Sequence, residues 1–267
     1  MPDTHASTPD WPLPFWIAHR GAGRLAPENT LCAFRRGAEL GWRSFECDVQ
    51  LSSDGVPFLL HDARLERTTN GRGVGSATPW STLTTLDAGA WHGPATLGEP
   101  VCSLAALAAA AAEGEWALNL ELKPSPGQAQ RLGHGVALWL RQHWRGARPP
   151  VLSSFEPESL RAVRQADEPR PTGSPWPLAL LLERWRPDAP QLALGLSAQA
   201  VVCHHRSLDA QAIRNLHAAG LRALAYTVNT HEEAARLRAA GVDGLITDAV
   251  TAFRPDVAPA QRRGHGV

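Results

Sequence analysis

Acidic side chains recur at alternate positions in the run Ser44 to Leu51 (SFECDVQL), and the run Asn119 to Lys123 (NLELK) repeats the device. Side chains alternate across an extended strand, so Glu46 and Asp48 project to one side and Cys47 to the other, while Asn119, Glu121 and Lys123 share a face. If both faces point into one volume, three carboxylates crowd together. Such groups repel one another and are costly to desolvate, so they need either shared protons or a cation. Ligation by oxygen alone favours a hard divalent ion, Mg2+ or Ca2+, over zinc. Cys47 is then a thiol packed between strand and helices.

His19 closes the run FWIAH and His61 closes FLLH, with Arg20 and Asp62 directly after them. Both histidines are expected at the same end of the molecule as the acids. Imidazole titrates near neutrality, so one of a pair can accept a proton from a nucleophile while the other donates one to a leaving alkoxide. A solitary histidine at a strand end is more often a core or surface residue, and it is the pairing that argues for chemistry. The other nine histidines, His204 and His205 included, lack such a setting. Arg20 and Lys123 bring positive charge to where a phosphate would sit, the ammonium as a compact point charge that a guanidinium does not mimic. Lys123 is the only lysine in a chain with 25 arginines, which points to a need for an amine at that place. Chance in an arginine-biased composition is the plain alternative.

These side chains converge only if strand ends converge. Eight short apolar runs, at 15–19, 44–51, 116–122, 150–155, 178–183, 200–204, 223–228 and 243–247, alternate with helical patterns over 30–40, 104–112, 128–143, 157–165, 209–219 and 232–240. Repeated βα units with continuous apolar strands imply a parallel sheet covered by helices, and eight of them favour closure into an α/β (β/α)8 TIM barrel. Asn29-Thr30 and Thr230 with Glu232 and Glu233 offer capping chemistry at helix starts, and Gly41, Gly220 and Gly241 stand where helices should stop. The span from about 62 to 101 is rich in Thr, Gly, Pro and Trp and has no helical period, so it reads as a small insertion after the second strand, on the face where barrel loops form active sites. One barrel domain over residues 1–267 is expected, with flexible ends at about 1–13 and 254–267.

Composition narrows the partners. Lys plus Arg (26) balances Asp plus Glu (26), which removes the footprint of a nucleic-acid-binding protein or a polybasic membrane binder. Cys32, Cys47, Cys102 and Cys203 form no CxxC pair, which argues against a zinc module and a disulfide scaffold and fits a reducing compartment. The first residues show neither a basic start nor an apolar stretch of signal-peptide length, so a cytoplasmic location is expected. The longest apolar stretch, 104–112, is far short of the ~20 residues that span a bilayer. No stable membrane association is expected, and the oligomeric state is not legible.

The strings AHRGAGRLAPENTLCAF, FECDVQLSSDGVPFLLHDARLERTTNG, LNLELKP, VLSSFEPESL and AYTVNTHEEAARLRAAGVDGLITD, in this order over about residues 15–250, resemble the glycerophosphodiester phosphodiesterase family. The middle stretches GRGVGSATPW, LDAGAW and LLLERW are similar to its cytosolic bacterial branch. The resemblance implies hydrolysis of a small-molecule glycerophosphodiester to sn-glycerol 3-phosphate and an alcohol, through attack of the glycerol 2-hydroxyl and a cyclic phosphate. It matches Glu46, Asp48 and Glu121 to metal ligands, His19 and His61 to the general acid and base, and Arg20 and Lys123 to phosphate contacts. Glu28 and Asn29 would support the first loop. The chain departs from the family at Gly41-Trp42-Arg43 and at Tyr226, which stands where tryptophan is common; Tyr226 either lines the glycerol or alcohol pocket or is a core aromatic. Two other functions stay open: a phospholipase on the same barrel with an apolar rim from Trp42, Trp80 and Trp91, and a non-catalytic phosphodiester-binding barrel.

Overall fold

The computed structural model of the protein describes residues 11–166, 175–253 and 255. In chain order, β1 (Trp16–Ala18) leads through a long first loop to α1 (Leu31–Glu39), then to β2 (Ser44–Leu51) and β3 (Pro57–Leu59). The insertion holds the single turn α2 (Trp80–Leu83). The alternation resumes with α3 (Leu104–Gly114), β4 (Ala117–Leu122), α4 (Ala129–His143), β5 (Val151–Ser154), α5 (Pro157–Ala166) and β6 (Leu178–Leu182). It ends with α6 (Ala189–Gly195), β7 (Ala200–His204), α7 (Ala210–Ala218), β8 (Arg222–Tyr226), α8 (His231–Ala239) and β9 (Gly244–Thr247).

Eight of the nine strands are parallel and close on themselves, because β1 pairs with both β9 and β2. The expected TIM barrel is therefore present. The ninth strand, at the run FLLH, comes in addition to the eight expected strands and lies outside the barrel. β3 turns back antiparallel along β2, with Val49 opposite Leu59 and Gln50 opposite Phe58. That reversal returns the chain toward Asp48, whose carbonyl accepts a hydrogen bond from the Leu60 amide at 3.1 Å. His61 reaches the carboxyl end of the barrel by doubling back.

Register decides where the acids go. β2 and β4 are parallel with Glu46 opposite Asn119 and Asp48 opposite Glu121, so the two carboxylate rows are nearest neighbours on adjoining strands. Along β4 the inward face reads Ala117, Asn119, Glu121, passing from apolar to acidic toward the carboxyl end. Ala117 belongs to the cluster inside the barrel with Leu13, Ile17, Val151, Leu181, Val202, Leu224 and Ile246, whereas Phe45, Cys47 and Val49 face the helices in the outer layer. Cys47 packs there fully buried, as its alternation requires.

Some expectations change. The helix α6 was not legible, since seven residues opening on Ala189-Pro190 are too few to display a period. Thr30 alone caps α1, accepting a hydrogen bond from the Ala33 amide, while Asn29 turns to the acids. Of the ends expected to be flexible, residues 1–10, 254 and 256–267 lie outside the described residues; Pro12 and Leu13 are buried, Leu13 within the barrel interior. Among the described residues, no helix is long and apolar enough to cross a membrane.

Trp42 corrects another reading: it contributes nothing to an apolar rim. It is wholly buried, and its indole Nε1 donates to the Val250 carbonyl at 3.1 Å, tying the approach to β2 to the segment after β9 across the seam that closes the barrel. Trp42→Ala is expected to lower stability by about 3–5 kcal/mol through the lost burial and the cavity left behind. Urea denaturation followed by circular dichroism measures this; an unchanged midpoint would show that the seam does not depend on the indole.

Candidate active site

Three loops and a hairpin meet above the acids. The first loop, after β1, carries His19, Arg20, Glu28 and Asn29, and packs against the carboxyl end of β9. Gly23 makes that approach feasible: its φ is +56°, and a β-carbon there would lie 2.1 Å from the Asp248 carbonyl oxygen. As a result His19 Nδ1 lies 2.6 Å from Asp248 Oδ1, and its other nitrogen, Nε2, faces Glu46 Oε2 at 3.6 Å. Asp248 is itself fixed, its Oδ2 accepting from Asn229 Nδ2 at 3.1 Å and its amide donating to Asn229 Oδ1 at 2.9 Å. The Asp248 carboxyl is held low: burial opposes this, but the hydrogen bond with His19, aided by Asn229, outweighs it.

His61 is built the same way from a different direction. Its Nδ1 lies 2.7 Å from Asp62 Oδ1, and Gln50, on the inward face of β2, donates from Nε2 to the Leu60 and Asp62 carbonyls at 2.8 and 2.7 Å. With a carboxylate on Nδ1, the neutral ring carries its proton there and leaves the Nε2 lone pair free. Burial pushes the His61 pKa down.

Glu46, Asp48 and Glu121 are buried and each offers an oxygen within 4.8 Å of the others. Burial, reinforced by Asp48, drives the carboxyl of Glu46 well above its usual range and that of Glu121 up to about 7. Asp48 moves the other way: burial opposes its ionisation, but Arg20, His61 and Lys123 outweigh it. Asn29, itself buried at φ +59°, grips Asp48 from both sides, donating Nδ2 to Oδ2 at 2.8 Å and accepting the Asp48 amide on Oδ1 at 3.1 Å. Glu46 Oε1 and Asp48 Oδ1 are nonetheless left without a hydrogen bond, and Glu121 Oε1 meets only the Lys123 ammonium. Three buried, hard oxygen donors around one point, two of them unpartnered, fit a divalent cation, since buried polar atoms are otherwise paired.

The two expected phosphate contacts sit at the rim of this cluster. Arg20 Nε is 3.1 Å from Asp48 Oδ2 and Lys123 Nζ is 3.0 Å from Glu121 Oε1. Two cavities open beside them. One, of about 230 Å3, is lined by His61, Glu121, Lys123 and Phe155 among others; the other, of about 280 Å3, by His19, Arg20, Arg24, Trp91 and Asp248 among others. Tyr226 lines neither. Its hydroxyl donates to the Leu182 carbonyl at 3.2 Å and its ring meets Phe155 edge-on at 5.8 Å, so it backs the wall of the first cavity. Every residue expected to do chemistry thus lies at one end of the barrel. Asp248, Asn229 and Gln50 were not singled out beforehand, although Asp248 and Asn229 fall within the strings GLITD and TVN.

A (β/α)8 barrel that presents clustered acids and carboxylate-backed imidazoles at the carboxyl ends of its strands is a barrel enzyme. Residues 19–252 match the model of the glycerophosphoryl diester phosphodiesterase family, and the chain belongs to that family. It is 34% identical over 238 residues to the YhdW protein of Bacillus subtilis, covering 87% of this chain and 93% of that one. A glycerophosphodiester phosphodiesterase of Caldanaerobacter subterraneus subsp. tengcongensis is 30% identical over 236 residues, with the same coverage. Among solved structures, an Oleispira antarctica phosphodiesterase in complex with its product sn-glycerol-3-phosphate aligns with a TM-score of 0.84 and 31% identity, covering 90% of this chain and 95% of that one.

The clamp from Asn29 leads to a measurable expectation. Asn29→Ala frees the Asp48 carboxylate to turn and is expected to weaken any divalent-cation binding by roughly 10- to 100-fold, the usual cost of removing a group that orients a ligand. Isothermal titration measures it; undiminished affinity would mean that Asp48 holds its orientation unaided.

Proposed function

We propose that the protein hydrolyses glycerophosphodiesters to sn-glycerol 3-phosphate and an alcohol in the cytoplasm, with a divalent cation, Mg2+ or Ca2+, held by Glu46, Asp48 and Glu121. The observation that carries this reading is the set of three buried carboxylates converging on one point, with Glu46 Oε1 and Asp48 Oδ1 without hydrogen bonds, flanked by two imidazoles whose Nδ1 atoms each rest on a carboxylate. A cation in that cage supplies positive charge that lowers the pKa of a nearby hydroxyl and offsets charge on phosphate oxygens.

The chain's own side chains account for the rest. Arg20 and Lys123 orient the phosphodiester by charge-assisted hydrogen bonds. One imidazole takes the proton of the glycerol 2-hydroxyl on Nε2 as its oxygen bonds to phosphorus, and the other protonates the departing alcohol oxygen as its bond to phosphorus breaks. The product of this step is a cyclic phosphate. Water opens it with the two imidazoles in reversed roles, so both return to their starting protonation. Asp248 and Asp62 keep each ring in the tautomer that these transfers need and stabilise it once it is charged. Tyr226 bears on the departing alcohol through Phe155, whose ring it supports.

The test is release of glycerol 3-phosphate from glycerophosphocholine, with phosphatidylcholine vesicles in parallel and with chelator added to half the samples. Turnover is expected on the deacylated substrate alone and should vanish on chelation. His19→Ala and His61→Ala should each reduce it by roughly 10²-fold or more with the fold retained. Selective lipid turnover would favour a phospholipase. No turnover with any divalent ion would favour a binding protein, and near-normal rates in both histidine variants would remove them from the chemistry.

A further inference from the structure

One side chain of the insertion, itself given no role so far, reaches the carboxylates behind both His61 and Arg20. Arg67 donates from Nη1 to Glu28 Oε2 at 2.9 Å and from Nη2 to Glu28 Oε1 at 2.7 Å; it also donates from Nε to Asp62 Oδ2 at 2.6 Å and from Nη2 to Asp62 Oδ1 at 3.0 Å. Both carboxylates it grips are already engaged. Asp62 Oδ1 accepts from His61 Nδ1, and Glu28 Oε1 accepts from Arg20 Nη1 at 3.0 Å. The result is an unbroken chain of hydrogen bonds, Arg20, Glu28, Arg67, Asp62, His61. It runs over the acids from the first loop to the hairpin, and its middle member alone comes from neither segment.

We propose that Arg67 is a positioning residue, whose planar guanidinium fixes Asp62 behind His61 and Glu28 behind Arg20, so that the insertion sets the geometry of proton transfer and of phosphate binding together. This rests on the roles proposed above for His61 and Arg20. The shape of the group matters: a guanidinium presents parallel N–H pairs on two edges, and only such a fork grips two carboxylates bidentately at once. Stability alone is an incomplete account of the arrangement, because the Arg67 side chain is 43% exposed, where solvent screens its ion pairs, and both carboxylates it grips stand behind groups of the site. The electrostatics agree with the geometry. Hydrogen bonds from Arg67, with a smaller one from His61, hold the Asp62 carboxyl down at about 2, so it remains an anion behind the imidazole. Glu28 is lowered as well, although burial opposes it, by Arg67 and then Arg20.

The experiment is a set of double-mutant cycles on steady-state turnover of glycerophosphocholine by the full chain, with Arg67→Met and Arg67→Lys combined with Asp62→Asn and Glu28→Gln. Arg67→Met is expected to lower kcat about 10- to 100-fold and to raise KM, the range for loss of a group that orients others, with the melting temperature and Mg2+ affinity nearly unchanged. The kcat effect should shrink to about twofold or less in the Asp62→Asn background, and the KM effect should shrink likewise in the Glu28→Gln background. Arg67→Lys should recover only part of the loss, since an ammonium cannot form both forks. Should Arg67→Met fold poorly, the single variants still decide: Asp62→Asn must fall mainly on kcat and Glu28→Gln mainly on KM. Full additivity in both cycles, complete rescue by lysine, or an Arg67→Met enzyme within about twofold of the parent would overturn the proposal. A silent Arg67→Met beside an inactive His61→Ala sinks this proposal alone, whereas an active His61→Ala sinks the reading on which it rests.

Discussion

Three carboxylates buried within reach of one another are the constraint around which the site is organised. Left to themselves, burial and mutual repulsion make ionisation of Glu46 and Glu121 unfavourable, and their carboxyls are pushed up accordingly. Asp48 escapes because Arg20, His61 and Lys123 surround it and Asn29 donates to it. The loops above the barrel are best understood as a response to that repulsion. They bring cationic side chains in, fix the acids in orientation, and leave one oxygen of Glu46 and one of Asp48 bare. The oxygens around the space between the acids are able to hold a divalent cation, whose charge would complete the balance that the side chains only begin.

The barrel and the loops divide this task. Parallel pairing of β2 with β4 sets the Asp48 and Glu121 carboxylates side by side, a matter of register that no loop could guarantee. The first loop adds His19, Arg20 and Asn29, held down onto β9 through the close approach at Gly23 and through Asp248. The hairpin formed by β2 and β3 adds His61, its backbone held by Gln50 from the same inward row as Glu46 and Asp48. Each imidazole therefore has its own carboxylate and its own anchor to the barrel, and neither depends on the other for its orientation.

Much of this could be read from residue order alone. Alternation of side chains along SFECDVQL and NLELK put three acids on inward faces, and the βα rhythm implied a closed parallel barrel, because both are local consequences of strand geometry. The family strings supplied the roles. What escaped was non-local. Asn29 resembles a helix cap in sequence and becomes a clamp only when β2 lies beside the first loop. Asp248 lies 229 residues from His19 in the chain, and only closure of β9 onto β1 makes them partners. Trp42 read as a candidate for an exposed rim, but its burial is decided by the seam it fills. FLLH was expected to bring His61 to the end of the barrel that bears the acids, and it does so through an antiparallel hairpin that the run did not announce, since apolar residues carry no information about direction within a sheet.

The two histidines sit on parts of the molecule that need not come apart together. His19 hangs from β1, which is paired on both sides within the closed barrel. His61 follows a three-residue strand at the margin of the insertion, whose apolar support is a small separate cluster of Phe58, Leu60, Leu65, Leu83, Ala88 and Val101. Local opening takes place where buried contacts are fewest. Gentle warming or dilute denaturant would therefore loosen His61 while His19 and the carboxylate cluster stay assembled. In such a sample, an intact barrel is no measure of how much of the site is left.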